Sequence, residues 1–164
     1  MNKRCETTEP DRMPANAPAA KQTILLVDDD PGIRKILFRL LVGEDFQVVT
    51  AANGSEAIDV VHGHKPDLVL LDLNMPGKDG WETFAQLSAE NPLLPIILIT
   101  ARPNQLFTAL SAGVGALLEK PLDFVKLFQT IRHLLEEPAQ TNLARYAGKA
   151  GMLEYSPSAR TAAK

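Results

Sequence analysis

Cysteine is almost absent from this chain, since Cys5 is the only one among 164 residues. A single thiol cannot form an internal disulfide, which is typical of proteins in a reducing cytoplasm. Long apolar runs are also missing, because no stretch reaches the roughly 18 residues that a membrane span needs. The N-terminus lacks the apolar segment of a secretory signal. These absences predict a cytoplasmic protein that does not cross a membrane.

An excess of basic residues is missing as well. The formal net charge is -3 and the isoelectric point is about 5.6, whereas a dedicated nucleic-acid surface normally carries a strong basic excess. We therefore expect no direct binding to nucleic acid. The apolar content of 45% is sufficient for a globular core, and the length corresponds to one domain with some residues to spare.

Composition divides the chain into three parts. Residues 1–21 mix charges with three prolines and an alanine-rich patch, so we predict a flexible leader. Residues 22–137 carry the regular apolar patterns of a folded domain. Residues 138–164 are polar and alanine-rich, and we predict a flexible tail or a single docking helix, with no separate output domain.

Apolar runs alternate with amphipathic helical patterns throughout the domain. Four of the five predicted helices have a side chain suited to cap their start: Asp30 before Pro31, Asn53 with Glu56, Asp79 and Asp123. Five strands that alternate with five helices require a parallel sheet with right-handed crossovers. The predicted strands are Ile24–Val27, Gln47–Thr50, Leu68–Leu71, Pro95–Thr100 and Ala116–Leu118.

Reactive side chains follow four of these strands. Asp28 and Asp29 come after the first, Asp72 after the third, Thr100 ends the fourth, and Lys120 follows the fifth. A lone aspartate in such a place usually caps a helix or ends a strand. In a parallel sheet, however, all of these ends lie at one edge, where ligands bind. Three neighbouring carboxylates either take up protons or recruit a cation, and oxygen ligands suit Mg²⁺.

The same edge suits the transfer of a phosphoryl group, because a metal ion and Lys120 together neutralise its charge. Asp72 is then a candidate nucleophile that forms an acyl phosphate. The hydroxyl of Thr100 is a candidate donor to one phosphoryl oxygen. The three histidines have no partners at metal-ligand spacing, so we assign them no role.

Taken together, these motifs resemble the receiver domain of two-component response regulators over about residues 22–137. All five hallmark positions occur in order at the spacing of that family. The segments that carry the resemblance are Ile24–Pro31, Asp67–Gly77 with Asp79-Gly80, Ile99–Ala101 and Glu119–Pro121. The resemblance implies a flavodoxin-like α/β sandwich with a five-stranded parallel sheet in the order 2-1-3-4-5.

The resemblance also implies roles for single residues. Asp72 is the expected phosphoacceptor, and Asp28, Asp29, Asp72 and the backbone carbonyl of Asn74 are the expected Mg²⁺ ligands. Thr100 and Lys120 are expected to bind the phosphoryl group and report its presence. A cis peptide bond is expected before Pro121. Asn74 and Arg102 lie where the family tunes hydrolysis of the phosphoryl group, although Arg102 is equally well explained as a solvated side chain.

Partners follow from the same resemblance. The phosphodonor is expected to be a histidine kinase or a histidine phosphotransfer protein, with the first helix, around Ile33, Arg34 and Leu37, as its docking face. The output partner is unknown, and a homodimer through the fourth and fifth helices is a further expectation. The protein is expected to be a stand-alone signalling module rather than an enzyme.

The chain departs from the family pattern at Leu117, where receivers usually carry Tyr or Phe. The usual Gly-Ala-Asp is likewise replaced by Gly113-Val114-Gly115. We therefore predict that phosphorylation occurs but that the signal is transmitted weakly or differently. The alternative function is an interaction module that uses the receiver scaffold without phosphorylation. A phosphohydrolase ranks last, because such enzymes carry a second aspartate at the position of Asn74.

Overall fold

The computed structural model describes residues 21–76, 80–102, 104–148 and 154–157. The predicted leader, apart from Lys21, and the predicted cap Asp79 lie outside these residues. Strands and helices alternate until a sixth helix precedes the last strand. The elements are β1 Thr23–Val27, α1 Pro31–Gly43, β2 Gln47–Ala51, α2 Gly54–His64, β3 Leu68–Asp72, α3 Gly80–Glu90, β4 Ile96–Thr100, α4 Leu106–Ala112, β5 Ala116–Glu119, α5 Phe124–Glu136, α6 Ala139–Tyr146 and β6 Glu154–Ser156.

The six strands form one parallel sheet in the order β2-β1-β3-β4-β5-β6. The predicted flavodoxin-like fold and the order 2-1-3-4-5 are confirmed, and β6 extends that sheet beyond β5. Register brings the carboxyl ends together, since Asp72 lies opposite Ile99 and Thr100 opposite Glu119. The ends of β1, β3, β4 and β5 therefore face the same edge.

The core has two layers, one on each face of the sheet. Alternate residues of β1 belong to different layers: Leu25 packs with one cluster, and Ile24 and Leu26 pack with the other. Residues 68–71 are fully buried. This is why the central strands are apolar at every position, as in parallel sheets covered by helices on both sides.

The helix starts follow the sequence closely. The carboxylate of Asp30 accepts hydrogen bonds from the amides of Gly32 and Ile33, and Asp123 caps α5 in the same way. Asn53 accepts from the amide of Glu56, but the Glu56 carboxylate reaches the amide of Ala52 rather than that of Asn53. Among the residues that the structure describes, no helix has the length and apolar character needed to cross a membrane.

For the segment after Pro138 the sequence leaves open a flexible tail or a single docking helix, and the structure has a packed helix there, followed by the short strand β6. Helix α6 packs on the domain, with the side-chain amide of Asn142 donating to the carbonyls of Pro92 and Leu94 at 2.9 and 3.0 Å. Arg145 is only 5% exposed. A β-carbon on Gly113, which has φ of 72°, would come within 2.5 Å of the Arg145 carbonyl oxygen. Tertiary contacts, rather than an apolar stripe, thus order this polar helix.

Candidate functional site

Four side chains meet at the carboxyl edge of the sheet, as their places after successive strands predict. Asp28 follows β1, Asp72 and Thr100 end β3 and β4, and Lys120 follows β5. Asp28, Asp72 and Thr100 are 1%, 3% and 0% exposed. Burial of two carboxylates at the end of an apolar sheet is costly unless they are paired or hydrogen-bonded. Their partners therefore decide what the site can do.

Lys120 supplies the positive charge for both buried carboxylates. Its Nζ lies 2.6 Å from Asp72 Oδ2 and 3.4 Å from Asp28 Oδ2. Burial by itself lowers the pKa of Lys120, but the hydrogen bond and charge of Asp72, with those of Asp28, outweigh it and raise the pKa above its usual value. The ammonium therefore stays charged at neutral pH and points at Asp72.

Asp28 is a buried acid whose charged form is disfavoured by its surroundings. Burial raises its pKa above the usual value and the nearby charge of Asp72 adds to the rise, although the amide of Asp30 and Lys120 oppose it. The Asp30 amide donates to Asp28 Oδ1 at 2.9 Å. Arg34 Nη1 donates to the Asp28 backbone carbonyl at 2.5 Å, so it fixes the backbone of the acid rather than its carboxylate.

Asn74 connects Asp72 to Thr100, a link that the sequence analysis missed. The amide of Asn74 donates to Asp72 Oδ1 at 2.9 Å. Its side-chain oxygen accepts from Thr100 Oγ1 at 3.2 Å and from the amide of Ala101 at 2.8 Å. Asparagine side chains often bind nearby backbone groups in turns, but a contact 27 residues away depends on the pairing of β3 with β4.

A cation site is compatible with this geometry. One carboxylate oxygen from each of Asp28, Asp29 and Asp72 lies within 4.8 Å of the others. Asp29 is exposed while the other two are buried, so one side of the group opens to solvent. Three negative charges face one ammonium, and hard oxygen donors with a solvent-facing side fit a partly hydrated Mg²⁺. The backbone of Asn74 lies in the adjacent turn, and its carbonyl stays a predicted ligand.

The remaining predicted positions surround this group. The Lys120–Pro121 peptide bond is cis. Arg102 is exposed, and its backbone amide donates to Thr100 Oγ1 at 3.0 Å. Leu117 is fully buried in the core and lies opposite Tyr155 of β6. A β-carbon on Gly80 would lie 2.6 Å from the Leu73 Cα, so α3 can start this close to the site only with glycine there.

Comparison with known proteins decides the family. The sequence matches the response regulator receiver domain over residues 24–132. The chain belongs to this family. Receiver domains generally serve as signalling modules of two-component systems.

The curated relatives of this receiver are longer proteins. It is 39% identical over 125 residues to the transcriptional regulatory protein GlrR of Escherichia coli (strain K12), an alignment that covers 75% of this chain and 28% of GlrR. It is also 39% identical over 114 residues to the response regulator MprA of Mycobacterium sp. (strain KMS), covering 68% of this chain and 50% of MprA. The receiver thus spans half or less of the length of these relatives.

Solved receiver structures share the fold. The CheY-like receiver of Methanospirillum hungatei JF-1 has a TM-score of 0.67 at 26% identity, covering 71% of this chain and 95% of that chain. The response regulator TrrA of Thermotoga maritima, solved in complex with Mg²⁺-BeF, has a TM-score of 0.65 at 33% identity, covering 69% and 98%. The five-stranded core and its helices are therefore those of a CheY-like receiver.

Proposed function

We propose that this receiver is a phosphoacceptor that takes a phosphoryl group onto Asp72 from a histidine kinase or a histidine phosphotransfer protein. The observation that carries the proposal is the contact of 2.6 Å between Lys120 Nζ and Asp72 Oδ2 in a buried group with excess negative charge. A fixed ammonium beside one carboxylate orients that carboxylate and screens an approaching anion. Asp72 is the acid that Lys120 holds most closely.

The proposed transfer is a single displacement at phosphorus. A carboxylate oxygen of Asp72 attacks the phosphorus of a phosphohistidine, the P–N bond breaks as the P–O bond forms, and the imidazole leaves with its electron pair and takes up a proton. Lys120 neutralises part of the charge on the equatorial oxygens, and Thr100 donates its hydroxyl to one of them. The product is an acyl phosphate on Asp72.

Asp28, Asp29 and Asp72 would hold Mg²⁺, together with the carbonyl of Asn74. The ion supplies charge neutralisation for the phosphoryl oxygens when it is bound. The proximity of the three carboxylates supports this assignment. The crystal structure of the related TrrA in complex with Mg²⁺-BeF also supports this assignment of Mg²⁺ ligands.

Asn74 and Arg102 are proposed to tune how long the phosphoryl group persists. The Asn74 side-chain oxygen takes hydrogen bonds from the Thr100 hydroxyl and the Ala101 amide, which are the donors nearest the end of β4. A phosphoryl oxygen that binds these donors must displace the Asn74 side chain. The exposed Arg102 lies beside the same opening, where it can alter access of water.

The kinase is proposed to dock against α1. An apolar groove of about 220 Å³ lies between α1 and the segment after Lys120, lined by Ile33, Ile36, Leu37 and Phe124 among others. Ile36 is 56% exposed, whereas Leu37 is buried beneath it. A helix of a partner that presents apolar residues fits such a groove. Its position next to Lys120 would bring the donor histidine to the site.

A scaffold that does not depend on phosphorylation is the second candidate, because the fully buried Leu117 lacks the aromatic ring through which receivers usually transmit the signal. A homodimer through α4 and α5, a cytoplasmic location and the absence of direct nucleic-acid binding remain predictions. The stand-alone character also remains a prediction, since the curated relatives are longer.

Intact-mass measurement tests the proposal directly. The full chain is incubated with Mg²⁺ and acetyl phosphate or phosphoramidate, alongside Asp72→Asn and the matched control Asp67→Asn. Asp67 is an exposed aspartate at the opposite end of β3. Wild type and the control should each gain one phosphoryl mass that hydroxylamine removes, and Asp72→Asn should gain none. An equal gain in Asp72→Asn, or none in wild type, contradicts the proposal and favours the scaffold.

A further inference from the structure

The two edges of the sheet differ in character. The outer strand on one side, β2, exposes Gln47 and Thr50 to solvent and has only one fully buried residue. On the other side β5 is apolar, with Ala116, Leu117 and Leu118 all at most 2% exposed. An apolar edge strand with unpaired amides and carbonyls is a template for pairing with another chain. Within the described part of the chain no strand covers the polar edge, whereas β6 covers the apolar edge.

The covering strand is short and lightly held. Only three residues pair with β5, in the register Ala116–Glu154, Leu117–Tyr155 and Leu118–Ser156. The Glu154 amide donates to the Gly115 carbonyl at 3.3 Å, and the Tyr155 hydroxyl donates to Glu119 Oε1 at 2.9 Å. Glu154 Oε1 also lies 3.5 Å from His133 Nε2, a half-exposed contact that is ionic only when the imidazole is protonated. Surface contacts of this kind each contribute little.

Helix α6, in contrast, is firmly attached. Arg145 Nη2 donates to both carboxylate oxygens of Glu137, at 3.0 and 2.8 Å, in a nearly buried pair. Asn142 donates to two backbone carbonyls, and α6 packs directly on Gly113. A strand tethered by so firm an anchor has a high effective concentration at the edge, although it would bind weakly on its own. Strand β6 therefore stays at the β5 edge, but another strand could displace it.

We propose that Glu154–Ser156 is a guard strand, which keeps the β5 edge from pairing with a second copy of this chain. A second copy is the occupant that the edge fits, because two β5 strands related by a two-fold axis are self-complementary. Helix α4, which packs against β5, carries Phe107 at 83% and Leu110 at 50% exposure. These side chains would add apolar contacts across the axis. The proposal does not depend on phosphorylation.

Substitutions in the full chain test the guard strand. Since strand amides alternate in direction and the Glu154 amide faces β5, the Ser156 amide faces it too. The double variant Glu154→Pro/Ser156→Pro removes both donors, and Glu154→Ala/Ser156→Ala is the matched control that keeps them. The Lys120 amide faces β4, so the amide of Leu117, three residues earlier, faces β6. Its hydrogen exchange reports the pairing.

The proline variant should be monomeric at low concentration, with exchange at Leu117 faster by about tenfold or more than in the control. As its concentration rises, light scattering should detect association and the Leu117 amide should regain protection. In the alanine control, the exchange at Leu117 should not depend on concentration, whether or not that variant dimerises through α4 and α5. A proline variant that stays monomeric overturns the proposal. So do a control in which concentration slows the Leu117 exchange equally, unchanged exchange at Leu117, and a dimer that leaves Leu117 unprotected.

Discussion

Two groups of buried charges hold different parts of the molecule, and they differ in how well the charges are matched. In the site cluster of Asp28, Asp29, Asp72 and Lys120, three carboxylates share one ammonium. In the tail anchor of Glu137, Asn142 and Arg145, one guanidinium nitrogen, Arg145 Nη2, donates to both oxygens of the Glu137 carboxylate. The charges of Arg145 and Glu137 balance in the tail anchor, whereas the site cluster has a deficit of positive charge.

This difference distinguishes charges that hold the fold together from charges that can bind a ligand. An ion pair of one cation and one anion has no excess charge with which to attract a ligand, and breaking it weakens attachment. In a cluster with excess negative charge, binding of a cation or a proton relieves the repulsion between the carboxylates and so stabilises the folded state. Burial chiefly, together with the charge of the nearby Asp72, raises the pKa of Asp28, so the charged form of this acid is disfavoured in the folded protein. The Arg145 Nε, which lacks a hydrogen-bond partner among the described residues, is the remaining defect of the anchor.

Breaking the tail anchor should give the largest effect. Arg145→Ala leaves Glu137 without its buried partner and is expected to lower the free energy of unfolding by about 3 kcal/mol, as for other broken buried pairs. Arg132→Ala is the matched control, because Arg132 pairs with Glu44 at a half-exposed site and should cost at most about 1 kcal/mol. Urea denaturation of both variants measures the difference. Equal losses would contradict the view that α6 is firmly attached.

Neutralising one acid of the site cluster should have a smaller effect of opposite sign. Asp28→Asn keeps an acceptor for the Asp30 amide but removes a charge that the folded state disfavours, so the metal-free protein should gain about 0.5–2 kcal/mol at neutral pH. Because the folded-state pKa of Asp28 is raised, its ionised carboxylate lowers the stability of wild type at every pH above that pKa. The penalty disappears as the pH falls through that pKa to the unfolded value of 3.8.

Thermal unfolding at several pH values checks this expectation. The advantage of Asp28→Asn should shrink as the pH approaches 4, and Mg²⁺ should stabilise wild type but not the variant. Asp67→Asn, at an exposed position, is the control for loss of a surface charge. A variant less stable than wild type at neutral pH would mean that Lys120 fully compensates Asp28. The site cluster would then be compensated, like the tail anchor, and would not differ from it in this respect.

The convergence of the site residues is easier to infer from the sequence than the packing of the tail, for a physical reason. The acids and Lys120 follow apolar strands, so a parallel sheet suffices to bring them to one edge, and their convergence needs no side-chain detail. The Asn74 side chain was missed because its bonds to Thr100 and Ala101 depend on the exact pairing of two strands. Arg145 reads as a surface residue in a polar helix. Its burial depends on Glu137 and Gly113, which only the folded chain brings next to it.

The smallest expected effect is a change in the pKa of Tyr155, a residue of β6 that contacts the end of β5. Its hydroxyl donates to Glu119, the neighbour of Lys120. Burial, followed by the hydrogen bond and charge of Glu119, raises the pKa of Tyr155 above its usual value of 10.0. In Tyr146→Phe, which leaves Tyr155 as the only tyrosine, the tyrosinate absorbance should therefore appear above pH 10.

Glu119→Gln in the same background sharpens this test, because it removes the charge and keeps an acceptor. The pKa of Tyr155 should then fall towards 10. An acid whose folded-state pKa is raised contributes stability that is fully present below the unfolded pKa and is lost as the pH rises through the folded one. The contact of β6 with Glu119 should accordingly persist at neutral pH and fail only in alkali. A Tyr155 that titrates at or below 10, or that ignores Glu119→Gln, would show that β6 does not make this contact, and the tail would then be attached through α6 alone.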